Sequence, residues 1–255
     1  MPELLARKTA LILGVANKWS LAYAIAQAFR REGAQLLLTY QGERQKETVT
    51  ELGSELGAAA IFECDVTREE DLTKLAETVR QHGTLHTLVH SIAFANREDL
   101  AKPFVQTSRE GYLLAQDVSA YSLVSVSRTV APLMTEGGSV MTLTYLGATR
   151  VVPNYNVMGV AKAALEASVR YLASDLGPSN IRVNAISAGA VKTVAARGIA
   201  GFSKMLEEMP AHAPLRRNCT PEEVADTAVF LASDLGRGVT GNVLFVDAGY
   251  QVMGF

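Results

Sequence analysis

The sequence predicts an α/β fold built on one doubly wound, parallel sheet of about seven strands with helices on both faces. Short apolar runs alternate along the chain with segments of helical periodicity, a pattern typical of repeated strand–helix–strand units. The strand candidates are nearly continuous apolar runs, which indicates that both faces of the sheet are buried. Together these observations predict the Rossmann-type arrangement.

The first three elements support this arrangement. Residues 8–14 form an apolar run that ends in glycine, residues 20–31 carry apolar side chains at helical spacing, and residues 35–40 form a second apolar run. Two such strands joined by a helix must be parallel, with a right-handed crossover. The later strand candidates are residues 58–64, 86–91, 139–144, 181–187 and 242–247. The later helix candidates are residues 69–81, 111–134, 154–175 and 221–233.

The composition indicates one globular domain. Of 255 residues, 48% are hydrophobic and 20% are charged, so the chain can bury a sizeable core and residues 1–255 are treated as a single domain. The net charge is -2 and the basic residues are scattered, which predicts no nucleic-acid partner.

Three features predict a cytoplasmic protein. No apolar run approaches the roughly 18 residues that a membrane span requires. Residues 1–8 hold no long apolar segment, so we expect no signal peptide. Cys64 and Cys219 lie far apart in the sequence, which favours free thiols in a reducing compartment over a disulfide framework; Cys64 is expected to be buried and inert.

The first turn, residues 14–21, is a candidate phosphate-binding loop. A turn between a strand and a helix can present backbone N–H groups to a pyrophosphate. Of the usual glycines only Gly14 is present, and Ser20 stands where another is expected. The alternative is an ordinary loop in which Ser20 caps the helix.

Two further strand ends carry candidate nucleotide contacts. Gln41 follows the second strand, at a position where an acid favours NAD and a base favours NADP. Gln41 is neither, so the charge at this position does not choose between the two cofactors. Glu43 and Arg44 follow closely, but they can simply begin the next helix. Asp65 follows the third strand and either hydrogen-bonds an adenine or caps the next helix.

The chain has four histidines, and none of them suggests a metal site. His90 ends the fourth strand and is expected to be a core histidine with satisfied hydrogen bonds. The other three show no metal-ligand spacing, so we predict no metal: His82, His86 and His212.

Tyr155 and Lys162 form a candidate catalytic pair. Residues 153–154 are predicted to start a helix, on which seven residues return to nearly the same face. The two side chains therefore project together, and a cation beside a phenol is expected to make it a stronger acid. A tyrosine and a lysine at this spacing also occur without any function.

Seven stretches together resemble the bacterial enoyl-[acyl-carrier-protein] reductases, a divergent branch of the short-chain dehydrogenase/reductase superfamily. They are residues 14–20, 64–66, 90–94, 145–147, 153–162, 182–189 and 246–249. Most short-chain dehydrogenases place the tyrosine and lysine four residues apart. Here the spacing is seven and Tyr145 ends the preceding strand, which is the arrangement of the enoyl reductases. The resemblance covers essentially the whole chain.

The resemblance implies a reaction and its catalytic residues. The reaction is reduction of a trans-2-enoyl thioester on acyl carrier protein, the last step of each fatty-acid elongation cycle. Tyr155 is implied to donate to the thioester oxygen, and Lys162 to hold the nicotinamide ribose. Tyr145 is implied to be a second tyrosine near the substrate; the alternative is an aromatic wall of the pocket.

The resemblance also implies where a dinucleotide binds. Gly14, Ser20 and Leu21 would contact the pyrophosphate. The other implied contacts are Asp65 and Val66 to adenine, Ser91 and Ala93 on the ribose side, and Ile186, Ala188 and Thr193 at the nicotinamide end. Gln41 matches the NADH-using relatives, so NADH is expected and NADPH is the second choice.

For the substrate, the resemblance implies a helical segment, residues 194–209, that covers the acyl chain. The alternative is an ordinary amphipathic helix packed on the sheet. The implied substrate contacts are Ala95, Tyr145, Tyr155, Met158, Ala195, Ala196, Ile199 and Phe202.

The implied partners are acyl carrier protein and further copies of the chain in a homotetramer. Lys192, Arg197 and Lys204 are candidates to meet an acidic carrier protein, or are solvated surface. The helices at 111–134 and 154–175 are candidates for the subunit interface, and the alternative is that they pack only on their own sheet. Small residues that could allow close packing between subunits are Ala163, Ala164, Ala167 and Ser168.

Two other functions remain open from the sequence. One is a carbonyl or imine reductase of the same superfamily, against which the seven-residue spacing argues. The other is a regulator that senses a dinucleotide without turning it over, which would need neither Tyr155 nor Lys162.

Overall fold

A parallel seven-stranded sheet forms the centre of the protein in the computed structural model, which describes residues 3–191, 193 and 201–254. In space the strands run β3-β2-β1-β4-β5-β6-β7, and every pairing is parallel. The predicted fold class is confirmed. The strands are β1 (Thr9–Leu13), β2 (Gln35–Tyr40), β3 (Ala60–Glu63), β4 (Thr87–His90), β5 (Gly138–Thr144), β6 (Ile181–Ala188) and β7 (Val243–Val246).

The strand order reverses between β1 and β4, so a crevice is expected at the carboxyl ends of these two strands. Leu11 pairs with Leu37 of β2 on one side and with Leu88 of β4 on the other. The helices that flank the sheet are α1 (Leu21–Arg31), α2 (Glu43–Glu55), α3 (Glu69–Gln81), α4 (Arg97–Ala101), α5 (Arg109–Gln116), α6 (Ser122–Val130), α7 (Asn156–Leu176), α8 (Phe202–His212) and α9 (Pro221–Ala232).

Two hydrophobic cores lie on opposite faces of the sheet. Ile12 packs in the core that α1 and α9 cover, with Phe29 and Val224. The neighbouring Leu11 packs in the core that α3, α6 and α7 cover. Successive residues of β1 thus serve different cores, which explains why the strand is apolar throughout.

The predicted helix at 111–134 is interrupted. A π-helical turn, Asp117–Tyr121, separates α5 from α6. At this turn the Ser119 hydroxyl accepts a hydrogen bond from the Phe94 N–H at 2.9 Å and donates one to the Phe94 carbonyl at 3.0 Å. The extra residue of the turn therefore lets Ser119 hold the segment after β4, a contact that periodicity does not reveal.

The start of α7 also differs from the prediction. The helix begins at Asn156, after Tyr155 at the cap position, and not at Pro153 or Asn154. Asn154 has φ +63° and Asn156 has φ +39°, a left-handed conformation that asparagine adopts more readily than most residues. The Asn156 amide donates to the Leu100 carbonyl at 2.9 Å, which draws α4 towards α7.

None of the helices in the described residues combines the length and the hydropathy that crossing a membrane requires. The apolar surface of α7, the longest helix in this part of the chain, packs on β5 and β6 instead.

Candidate active site

A cavity of about 540 Å³ opens at the carboxyl ends of β1 to β4, where the strand order reverses. We call it the strand-end cavity. Ten of the twelve predicted cofactor-binding residues line it: Gly14, Ser20, Leu21, Gln41, Asp65, Val66, Ser91, Ala93, Lys162 and Thr193. Ala188 lines a neighbouring cavity. Ile186 lines neither, because its side chain is fully buried in the core beneath α1 and α9.

Gly14 gives the strand-end cavity its shape. It has φ +97°, and a Cβ atom at this position would overlap the carbonyl oxygen of Ser91. The turn can therefore lie against the end of β4 only because Gly14 has no side chain. Beside it, Ser20 caps α1 by accepting a hydrogen bond from the Tyr23 N–H at 3.3 Å. A close backbone and a helix N-terminus are the features that suit a pyrophosphate.

Gln41 and Asp65 meet at the rim of the strand-end cavity. The Gln41 amide donates to Asp65 at 2.9 Å, and Thr67 donates to the same carboxylate from its N–H and its hydroxyl. Partial burial opposes ionisation of Asp65, but these hydrogen bonds outweigh it and hold its pKa below the usual range. Asp65 does not cap α3, whose N-cap is Arg68, so that alternative is wrong.

A second cavity of about 540 Å³ adjoins the first. We call it the tyrosine cavity. Six residues line both cavities: Leu21, Ala93, Phe94, Leu143, Lys162 and Thr193. Five of the predicted substrate contacts line it: Ala95, Tyr145, Tyr155, Met158 and Phe202. The other three, Ala195, Ala196 and Ile199, lie outside the described residues, as does the predicted covering segment from 194 to 200.

Tyr145, Tyr155 and Lys162 come together at the tyrosine cavity. The two tyrosine rings meet edge to face, with centroids 5.2 Å apart and an angle of 75° between their planes. The Lys162 ammonium donates to the Leu143 carbonyl at 2.7 Å. Tyr155 and Lys162 are both buried. The sequence spacing of seven therefore does place the phenol and the ammonium at one cavity.

Known proteins resemble this chain over its whole length. Residues 14–251 match the family model described as Enoyl-(Acyl carrier protein) reductase. The chain belongs to this family. The enoyl-[acyl-carrier-protein] reductase [NADH] FabI of Bacillus cereus is 55% identical, over 99% of this chain and 100% of the relative.

Solved structures agree with this membership. The Bacillus cereus enoyl-acyl carrier protein reductase with NADP+ and indole naphthyridinone superposes with a TM-score of 0.97 at 55% identity, covering 99% of this chain and 100% of that one. The Anaplasma phagocytophilum reductase in complex with NAD gives a TM-score of 0.96 at 45% identity, covering 100% of this chain and 98% of that one.

In this enoyl reductase the burial of the site decides its protonation states. Burial raises the pKa of Tyr155 above its usual range and raises that of Tyr145 to about 12. Burial lowers the pKa of Lys162 to about 8, and the charge of Glu166 opposes that change. The expectation that the cation would lower the pKa of Tyr155 is therefore wrong here. Tyr155 stays a neutral hydrogen-bond donor at neutral pH.

A third cavity, of about 550 Å³, lies on the far side of Tyr145. We call it the outer cavity. Tyr145 and Phe202 line both it and the tyrosine cavity, and the Tyr145 hydroxyl donates to the Met205 sulfur at 3.4 Å. Lys204 lines the outer cavity and pairs with Glu208 at 3.6 Å; the other two basic candidates, Lys192 and Arg197, lie outside the described residues.

His90 is the core histidine that the sequence predicted. It is fully buried, with Nε2 2.9 Å from the Ser122 hydroxyl and Nδ1 3.2 Å from the Thr142 hydroxyl. Burial lowers its pKa to about 3, so the ring is neutral. Across the described part of the chain, no three His, Cys, Asp or Glu side chains are grouped as a metal ion would require.

Cys64 is also as predicted. It is buried just after β3, and burial raises the pKa of its thiol to about 12. Since the thiolate is the reactive form, this thiol is inert at neutral pH.

The sequence prediction missed two buried side chains next to the candidate catalytic pair of Tyr155 and Lys162. The Thr144 hydroxyl donates to Glu166 Oε1 at 2.7 Å, and both residues are buried. Glu166 follows Lys162 by four residues on α7, so helical spacing alone places it on the lysine's face. Ser119 was missed as well, and no signal in the sequence marks its contact with Phe94.

Proposed function

We propose that this enzyme reduces trans-2-enoyl thioesters carried on acyl carrier protein to the saturated acyl form, with NADH, in type II fatty acid biosynthesis. One observation carries the proposal: Lys162 lines both the strand-end cavity and the tyrosine cavity. A dinucleotide in the first and an enoyl group in the second would meet at this lysine. The relatives named above carry enoyl-[acyl-carrier-protein] reductase activity in their names.

NADH, when bound, supplies the hydride that adds to the β carbon of the enoyl group. Negative charge would then build on the thioester oxygen, where a hydrogen-bond donor would stabilise it. A proton taken up at the α carbon would complete the saturated product. Tyr155 is the candidate donor, because its raised pKa keeps the phenol protonated and it lines the tyrosine cavity. Tyr145 meets its ring edge to face and supports its orientation.

The strand-end cavity suits a dinucleotide in its shape and its donors. The close turn at Gly14 and the start of α1 at Leu21 would take the pyrophosphate. Asp65 and Val66 would face adenine, and Ser91 and Ala93 the ribose. The ammonium of Lys162 would hold the nicotinamide ribose hydroxyls. Since Ile186 is enclosed in the core, only its backbone remains available for the nicotinamide end, with Ala188 and Thr193.

NADH is the expected donor because, among the residues that the structure describes, no base lines the rim of the strand-end cavity where a 2′-phosphate would lie. Gln41 is engaged by Asp65, and Arg44 stands in the first turn of α2 and does not line the strand-end cavity. One solved relative holds NADP+ and another NAD, so rates with both cofactors must be compared. A tenfold or greater preference for NADPH would contradict this choice.

The segment 194–209 is proposed to cover the acyl chain within the single domain. Its described part supports this role, because Phe202 stands between the tyrosine cavity and the outer cavity, and Met205 reaches the Tyr145 hydroxyl.

A cytoplasmic homotetramer is proposed as the working form. Surface apolar side chains support contact between copies: Leu113 is 57% exposed and Tyr171 is 76% exposed. Sedimentation of the intact protein measures this, and a mass near the 27.3 kDa of one chain would contradict it.

The reaction is tested by absorbance of reduced nicotinamide with crotonyl thioester, for the wild type and Tyr155→Phe. We expect substrate-dependent loss of NADH with the wild type. In Tyr155→Phe, kcat should fall about a hundredfold, because the donor to the thioester oxygen is lost, while NADH affinity is unchanged. Tyr171→Phe is the matched control on the exposed side of α7 and should behave as the wild type.

Two outcomes would contradict the proposal. Reduction of a simple ketone without reduction of the enoyl thioester would make the protein a carbonyl reductase. Dinucleotide binding without turnover of any substrate would make it a sensor.

A further inference from the structure

Glu166 is a buried carboxylate that the reaction as described does not use. It is 7% exposed, and its Oε1 accepts a hydrogen bond from the Thr144 hydroxyl at 2.7 Å. A buried acid requires a reason, because removing a carboxylate from water is costly unless hydrogen bonds or charges compensate.

The contacts of Glu166 and Lys162 lie side by side. Lys162 donates to the carbonyl of Leu143, and Glu166 accepts from the hydroxyl of Thr144, the next residue. Two side chains one turn apart on α7 therefore hold two consecutive residues at the end of β5. The residue that follows is Tyr145, which enters the tyrosine cavity. This arrangement ties the lysine, the helix and the strand end into one unit.

The charges around Lys162 also indicate that Glu166 acts on this lysine. His90, facing it from β4, is neutral because burial lowers its pKa to about 3, and Tyr155 is protonated. Glu166 raises the pKa of Lys162 against the effect of burial. Burial raises the pKa of Glu166 above its usual value, and the Thr144 hydrogen bond and the charges of Arg170 and Lys162 offset part of that rise in favour of the ionised form.

We propose that Glu166 is a positioning residue of this reductase: its carboxylate keeps Lys162 protonated and holds the end of β5, and so controls how tightly NADH binds at the catalytic centre. This role rests on the proposed function, in which the ammonium of Lys162 holds the nicotinamide ribose.

The sign of the pH dependence follows from the charges. As pH rises through the pKa of Lys162, about 8, the ammonium loses its proton and NADH affinity should fall. Glu166→Gln keeps an acceptor for Thr144 but removes the negative charge that favours the ammonium. The midpoint of the fall should therefore move to lower pH, by about one unit.

The experiment measures the dissociation constant of NADH by fluorescence from about pH 6 to about pH 9.5, the window that brackets the lysine pKa. Glu166→Gln should shift the midpoint as stated. Thr144→Val removes the hydrogen bond that favours the ionised form of Glu166. Its midpoint should therefore move in the same direction by a smaller amount, while kcat with crotonyl thioester falls about tenfold. Asp175→Asn removes an exposed carboxylate from the same helix and should match the wild type.

Equal pH midpoints of NADH affinity in Glu166→Gln and Asp175→Asn would overturn the proposal. It would also be overturned if Glu166→Gln and Thr144→Val lost thermal stability but kept the wild-type NADH affinity and kcat. If Glu166→Gln does not fold, Thr144→Val and an NMR titration of the Lys162 side chain in the wild type replace it. A Lys162 midpoint well below about 8 would then overturn it, because the carboxylate would not be keeping the ammonium protonated. A midpoint shift in a protein that does not turn over crotonyl thioester would leave the role of Glu166 standing and remove the proposed function.

Discussion

The strand-end cavity and the tyrosine cavity have the same volume and share a wall, yet they are built in different ways. The strand-end cavity takes many of its residues from strand ends: Gly14 follows β1, Gln41 follows β2 and Ser91 follows β4. Leu21 and Lys162 join them from helices. The tyrosine cavity collects Ala95, Tyr155 and Phe202 from separate segments that only packing brings together.

This difference teaches what each cavity depends on. In the strand-end cavity the backbone is decisive, because neighbouring strands in a parallel sheet must deliver their ends to one edge. In the tyrosine cavity the side chains are decisive, because Tyr155 and Lys162 are buried there and their protonation follows from that burial. Substitutions should therefore separate cofactor binding from substrate binding.

The largest effect is expected at the backbone of the strand-end cavity. In Gly14→Ala the added Cβ would overlap the Ser91 carbonyl, at a φ of +97° that alanine rarely adopts. The turn must move, so the dissociation constant of NADH should rise about a hundredfold, equivalent to roughly 3 kcal/mol. Titration of NADH by fluorescence, alongside thermal unfolding, measures this.

Gly83→Ala is the matched control for this substitution. Gly83 has φ +88° with nothing within 4 Å of an added Cβ. It should lose about 1 kcal/mol of stability and keep its NADH affinity. If Gly14→Ala binds NADH as tightly as Gly83→Ala does, the close approach of the turn is irrelevant to cofactor binding.

An intermediate effect is expected on the side-chain wall of the tyrosine cavity. Phe202→Ala removes a buried ring that separates this cavity from the outer cavity. KM for a long-chain enoyl thioester should rise about tenfold, because the acyl chain loses apolar contact with the ring. A loss of roughly 1.4 kcal/mol of binding free energy corresponds to that factor. NADH affinity should not change, and Phe104→Ala at the exposed surface is the control. A rise in the NADH dissociation constant, with KM unchanged, would contradict the separation of the two cavities.

The smallest effect is expected at the rim of the strand-end cavity. Gln41→Arg places a base beside the position proposed for the ribose 2′-hydroxyl, so the ratio of NADPH to NADH rates should rise about threefold, as expected for an exposed ion pair. Steady-state rates with each cofactor measure this ratio. Gln81→Arg adds the same charge at the far end of α3 and should leave the ratio unchanged; an unchanged ratio in both variants would show that Gln41 does not face the ribose.

The strand-end cavity was the more predictable of the two. Apolar runs followed by Gly14, Gln41 and Asp65 indicate which residues end strands, and the parallel topology brings those ends together. That Asp65 does not cap α3 was not predictable, because the hydrogen bond from Gln41 crosses from one strand end to another.

For the tyrosine cavity the sequence predicted which residues would meet but not their protonation behaviour. The spacing of Tyr155 and Lys162 and the resemblance to enoyl reductases indicated the pair. The direction of the pKa change at Tyr155 was predicted wrongly, because a sequence does not give the depth of burial that raises it.

By itself the sequence determined the order of the strands along the chain, the glycine turn at the first strand end and the family. These follow from local conformation and from periodicity, which neighbouring residues set. Only the tertiary structure decided that Ser119 holds the segment at Phe94, that Glu166 meets Thr144, and that the phenol of Tyr155 stays protonated. Each of these depends on which surfaces pack together and how completely they exclude water, and burial of that kind is a property of the folded chain.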